Sequence, residues 1–165
     1  MRFVARFAWA AAILCCVAAQ AAAAEVEKEP IAIVGIGGQG AWSFSGEQAI
    51  GPSVSVEFNV IKDWLEIEIG TARMFSRESR SWDTDLIFKK PFTLSKTVEL
   101  MVGAGPALSY SRDEGQKWGA TFALDFMIWP LPERKFGWFV EPTYTTLKGG
   151  EKSLAVSAGV LIAFY

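Results

Sequence analysis

The sequence predicts an all-β chain: eight short antiparallel strands running up and down and closing into a barrel. Three observations carry this. From residue 31 onward, large apolar residues alternate with small or polar ones in run after run, and successive side chains of a strand point to opposite faces. Each run is about ten residues long and is separated from the next by turn chemistry, the pattern of strands joined as hairpins. No segment in this region carries the 3.6-residue periodicity of a helix.

Taken in order, the first run (residues 31–44) is the weakest, because glycines interrupt it. In the second, Ile50, Pro52, Val54, Val56, Phe58 and Val60 oppose Ser53, Ser55, Glu57 and Asn59, and Lys62-Asp63 turns the chain. The third sets Leu65, Ile67 and Ile69 against Glu66, Glu68 and Gly70. Polar residues 76–81 lead to the fourth, where Trp82, Leu86 and Phe88 oppose Asp83, Asp85 and Lys89. Residues 91–96 are expected to be a connection, since proline is poorly placed in a central strand. The fifth has Val98, Leu100, Val102, Leu108 and Tyr110 against Glu99, Gly103, Gly105 and Ser109. The sixth has Trp118, Phe122, Leu124 and Phe126 against Gly119, Thr121, Ala123 and Asp125, and Pro130 and Pro132 end it. The seventh places Phe136, Trp138, Val140 and Tyr144 opposite Glu141, Thr143 and Thr145. In the eighth, Leu154, Val156, Val160, Ile162 and Phe164 oppose Ser153, Ser157 and Gly159.

Sidedness decides the solvent. An eight-stranded barrel is just wide enough inside for side chains. Eight inward rows of Val, Phe, Leu and Trp would overfill it, whereas glycine, serine and a few carboxylates fit. The apolar face therefore points outward, which makes this a transmembrane barrel; lipid cannot satisfy an open sheet edge, so the sheet closes. A secreted soluble barrel of the lipocalin kind is the alternative, with the greasy face inside around a ligand. Aromatics gather toward two rims: Trp42, Phe44, Trp82, Tyr110, Trp118 and Tyr144 at one, and Phe58, Trp64, Phe88, Phe92, Trp129, Phe136, Trp138, Phe164 and Tyr165 at the other. Two such girdles are expected where rings meet the bilayer surfaces.

The start reads as a secretory signal. Arg2 and Arg6 precede an apolar run over residues 7–19, and Ala22-Ala23-Ala24 offers cleavage between Ala24 and Glu25. That run is shorter than the roughly 20 residues a transmembrane helix needs. Cys15 and Cys16 follow Leu14 and Cys15, not the small residue of a lipidation site. The expected organisation is thus a signal over residues 1–24, a short segment over 25–30 and a barrel over 31–165. Both cysteines leave with the signal, which removes thiol and disulfide chemistry. So do two of the 16 basic residues, leaving a chain more acidic than the overall −2. Mild acidity argues against nucleic acid. The sequence contains no histidine.

A chain that ends on Phe164-Tyr165 directly out of an alternating strand resembles the small OmpA/OmpX-like outer-membrane β-barrel proteins of Gram-negative bacteria. The resemblance spans the whole mature chain and is one of architecture. It departs in Tyr165, one residue beyond the usual terminal aromatic, and in outer loops shorter than this family often carries. It implies an integral outer-membrane monomer that contacts outer-membrane lipid and lipopolysaccharide, with Phe164 and Tyr165 as the signal read by the barrel-assembly machinery. The enzymes built on such barrels (lipid A acyl-chain transferases, lipid A deacylases and aspartyl-type surface proteases) rely on a histidine that this chain lacks.

Three groups of residues could carry chemistry. Gly35-Ile36-Gly37-Gly38-Gln39-Gly40 satisfies GxGxxG, but no helix follows to receive a pyrophosphate, so the glycines are expected to relieve crowding in the first strand. Without histidine or cysteine a zinc site is not expected, nor any other metal or cofactor. The inward face gathers Glu57, Glu66, Glu68, Glu99, Asp125 and Glu141, with Asp83 and Asp85 toward one end and Lys89 as the clear base; Arg73 joins only if a bulge shifts the third strand. Two carboxylates about 5 Å apart repel by roughly 3 kcal/mol at an effective dielectric near 20. Such a cluster needs partners, and it is expected to form a polar plug. The function expected is non-catalytic: envelope integrity or surface interaction. A narrow cation-conducting pore through the acidic lumen is the alternative, and the soluble ligand-binding barrel a further one.

Overall fold

The computed structural model describes residues 30–77 and 79–165. The expected signal over 1–24, its cleavage site at Ala24 and Glu25, and residues 25–29 lie outside the described residues. Eight strands follow one another: β1 (Ala32–Ser43), β2 (Gln48–Ile61), β3 (Leu65–Phe75), β4 (Arg80–Thr93), β5 (Val98–Ser111), β6 (Gly115–Ile128), β7 (Phe136–Leu147) and β8 (Lys152–Phe164). Every strand pairs antiparallel with its sequence neighbours, and β1 pairs with β8 from Ala32↔Phe164 to Ser43↔Ser153, closing the barrel.

Side-chain parity holds around the cylinder. Val54, Phe122, Leu154 and Val160 are exposed on the outside, whereas Glu57, Glu68, Thr121, Asp125 and Thr143 are buried inside. A soluble barrel of the lipocalin kind would need the reverse. Arg73 keeps its outward parity and lies 5.1 Å over the Trp82 ring, so no bulge brings it into the lumen.

Close approach at the closing seam requires one glycine of β1, Gly37, and its partner on β8. A Cβ on Gly37 would come within 2.1 Å of the Ala158 carbonyl oxygen, and one on Gly159 within 2.2 Å of the Ile36 oxygen. Gly37 and Gly159 face each other across the closing seam, so neither strand can carry a side chain there.

Proline is better tolerated than expected. Residues 91–96 are not simply a connection: β4 runs on to Thr93, and Pro91 pairs with Met101. Pro91 lies past Lys89, the last β4 residue paired with β3, where a missing donor disrupts least. Pro52, Pro106 and Pro142 sit within strands, and each falls at a gap in one of its two ladders: opposite β3, β4 and β6, respectively. A residue without an N–H belongs at such gaps.

The interior has two parts. At the end carrying the termini, Ile33, Met101, Met127, Trp129, Phe139, Leu161 and Ala163 pack into one apolar cluster. In the other half a polar cavity of about 90 Å³ runs from Thr145, Leu147 and Ser153 near the rim down to Glu68, Phe139 and Glu141. Trp129 is expected in the aromatic girdle of the terminal end. It is instead 1% exposed and fills the lumen, because Phe126 and Ile128 face out and an odd step continues the inward row. Phe58, Trp64, Phe88, Phe92, Phe136, Trp138 and Phe164 do lie exposed on the outside, as do Trp42, Phe44, Trp82, Tyr110 and Trp118 at the opposite rim.

Candidate functional site

Between the apolar cluster and the polar cavity sits a buried charge cluster. Alternation on β2, β3, β4, β6 and β7 aims Glu57, Glu66, Glu68, Lys89, Asp125 and Glu141 inward from five strands. Lys89 is 1% exposed. Its Nζ donates to Glu68 Oε2 at 2.7 Å, Asp125 Oδ2 at 2.9 Å and Glu141 Oε2 at 2.6 Å. An ammonium has three N–H donors, and all three are used. Glu57 stands directly across from Glu68 in the β2–β3 ladder and is 2% exposed. Glu57 Oε1 and Asp125 Oδ1 have no hydrogen-bond partner. Carboxylate oxygens of Glu57, Glu68 and Asp125 lie within 4.8 Å of one another.

Glu99 does not join this cluster. It sits at the terminal end, where its Oε1 accepts from Arg134 Nη1 at 2.5 Å and its Oε2 from Trp129 Nε1 at 3.1 Å. The grouping expected from alternation alone treats inward residues at different depths as neighbours. Val98 opposite Ile128 places Glu99 near the last rung of β5–β6, below the Lys89 level. Toward the cavity, Asp83 Oδ1 accepts from Ser109 Oγ at 2.6 Å. Phe164 ends β8 on the outside, and the Tyr165 hydroxyl donates to the Glu133 carbonyl at 2.9 Å. The apolar base of Met101, Met127, Trp129 and Phe139 was missed in sequence, although each occupies an inward step beside outward residues already assigned.

The rim away from the termini carries a different feature. Arg73, Arg77, Arg80 and Arg112 line a cleft of about 740 Å³ with Trp82, Tyr110 and Asp113. Arg80 lies 6.0 Å over the Phe75 ring.

The chain matches no protein-family model and no curated relative in sequence. Solved structures do resemble it. Neisserial surface protein A superposes with a TM-score of 0.63 at 16% identity, over 81% of this chain and 96% of that one. Ail, the attachment invasion locus protein of Yersinia pestis, gives 0.58 at 15%, over 83% of this chain and 100% of that one. The N-terminal β-barrel domain of Pseudomonas aeruginosa OprF gives 0.58 at 15%, over 82% and 100%. The fold is that of the small OmpA/OmpX-like outer-membrane barrels. At these identities the likeness concerns the fold, and the lumen cluster is argued from this chain's own residues.

Proposed function

We propose that the protein is a non-catalytic, monomeric barrel of the outer membrane, sealed to ions, that maintains the envelope and presents its arginine-lined rim to a partner. The observation that carries this is the two-part lumen. A pore needs a continuous polar path, but below Lys89 the interior is filled by Met101, Met127, Trp129, Phe139 and Leu161. That apolar base argues against the cation-conducting alternative. The greasy outer face between two aromatic rims suits a bilayer.

With the termini on the periplasmic side, the arginine cleft faces outward. Four guanidiniums against Asp113 among the described residues favour an anionic contact, such as the phosphates of lipopolysaccharide. Export through the secretory pathway and delivery through the Phe164-Tyr165 end complete the reading. Fractionation with heat-modifiable gel mobility, followed by planar-bilayer recording, tests it. The expected protein is membrane-bound, shifts mobility on boiling and leaves the bilayer silent; steady cation currents or a soluble, heat-insensitive protein contradict the reading.

A further inference from the structure

We propose that the lumen holds one hard divalent cation of the calcium class, ligated by the carboxylates of Glu57, Glu68 and Asp125. Five carboxylates of the cluster are buried (these three, Glu66 and Glu141), and Lys89 pairs with three of the five. Lys89 spends its three donors on Glu68, Asp125 and Glu141 and has none left for Glu57. It also binds only Oε2 of Glu68 and Oδ2 of Asp125, so it pins each carboxylate while leaving the second oxygen to another partner.

The independent observation is the pair of orphaned acceptors. Glu57 Oε1 and Asp125 Oδ1 are buried without a partner, and both residues are only 2% exposed. A buried, unpaired polar oxygen costs free energy, and a cation between the two removes that cost. Size then selects the ion. Calcium takes oxygens at 2.3–2.6 Å, so two ligands on opposite sides stand up to about 5 Å apart, whereas magnesium at 2.0–2.1 Å draws them to about 4.2 Å. Oxygens within 4.8 Å of one another fall inside the calcium span without contraction, and calcium's flexible coordination accepts carboxylates that are not arranged as the near-ideal octahedron magnesium demands. The chain has no histidine, and no cysteine among the described residues, which weighs against zinc but not against a hard cation, which prefers oxygen. Access is from the rim away from the termini, because the polar cavity reaches Glu68 from that side and Trp129 closes the other. This inference rests on the lumen geometry and not on the envelope role.

The test is calorimetric titration of the chelator-treated, folded full-length barrel in detergent with calcium chloride and, separately, magnesium chloride, with thermal unfolding in each. The expected result is about one calcium per barrel, tighter than magnesium, with a higher unfolding temperature. Glu57→Gln should weaken calcium binding by roughly tenfold or more while keeping heat-modifiable mobility; should it fail to fold, Glu68→Gln reads the same loss. The loop double variant Glu114→Gln/Glu151→Gln should bind like the parent. No calcium uptake by the parent, an undiminished affinity in both lumen variants, or loss of binding in the loop variant overturns the proposal.

Discussion

Lys89 is the residue on which the interior turns. It is fully buried and touches carboxylates from β3, β6 and β7 at 2.6–2.9 Å, so one side chain ties three strands together across the lumen. Removing one partner of a buried ion pair leaves uncompensated charge and costs about 3–5 kcal/mol. Lys89→Met should therefore lower unfolding stability by that order, read from urea titration of the barrel in lipid vesicles. Arg134 and Glu99 form the contrasting pair. Their side chains are each 18% exposed, and Arg134→Met should cost clearly less than Lys89→Met. The lumen carboxylates and Lys89 were legible in the sequence, because alternation alone assigns them inward. Their depth was not. Glu99 shares their parity, and only the strand register separates it from Lys89.

At the scale of the strand, the seam between β1 and β8 decides whether the sheet closes. Gly37 has no room for a Cβ against the Ala158 carbonyl, whereas a Cβ on Gly38 meets nothing nearer than 3.7 Å. Gly37→Ala should destabilise by about 1–3 kcal/mol, and more with bulkier residues, while Gly38→Ala should be close to neutral. Urea midpoints of the two variants by heat-modifiable mobility compare adjacent positions in one strand. The sequence showed a glycine-rich first strand and excluded a nucleotide loop, but not which glycine was obligatory. That depends on the backbone of β8, the last strand in sequence order. Proline misled for a related reason: an alternation pattern reveals a strand but not the gaps in its ladders, which is where Pro52, Pro106 and Pro142 sit. At the end of β6, Trp129 closes the lumen and donates to Glu99. Trp129→Ala should cost about 3–5 kcal/mol. Trp129→Phe keeps a six-membered ring but loses the rest of the indole and its donor, so it should cost less than Trp129→Ala, about 1–3 kcal/mol.

For the whole molecule, fold and solvent follow from one sidedness. Large apolar residues cover the outside, charge and hydroxyls occupy one half of the inside, and an apolar base closes the other. The outward direction of the apolar face was readable from composition and period, since an eight-stranded lumen cannot accept rows of large side chains. The division of the lumen into a polar half and a sealed half was not, because both halves obey the same alternation. Nitroxide labels placed singly at Val54, Phe122, Val160 and Thr143 of the barrel in vesicles test the sidedness directly. Labels at Val54, Phe122 and Val160 should be relaxed by oxygen dissolved in the acyl chains and shielded from a water-soluble nickel chelate, and the label at Thr143 should be shielded from the acyl chains. Nickel access at the first three positions, with the Thr143 label in lipid, would contradict the account.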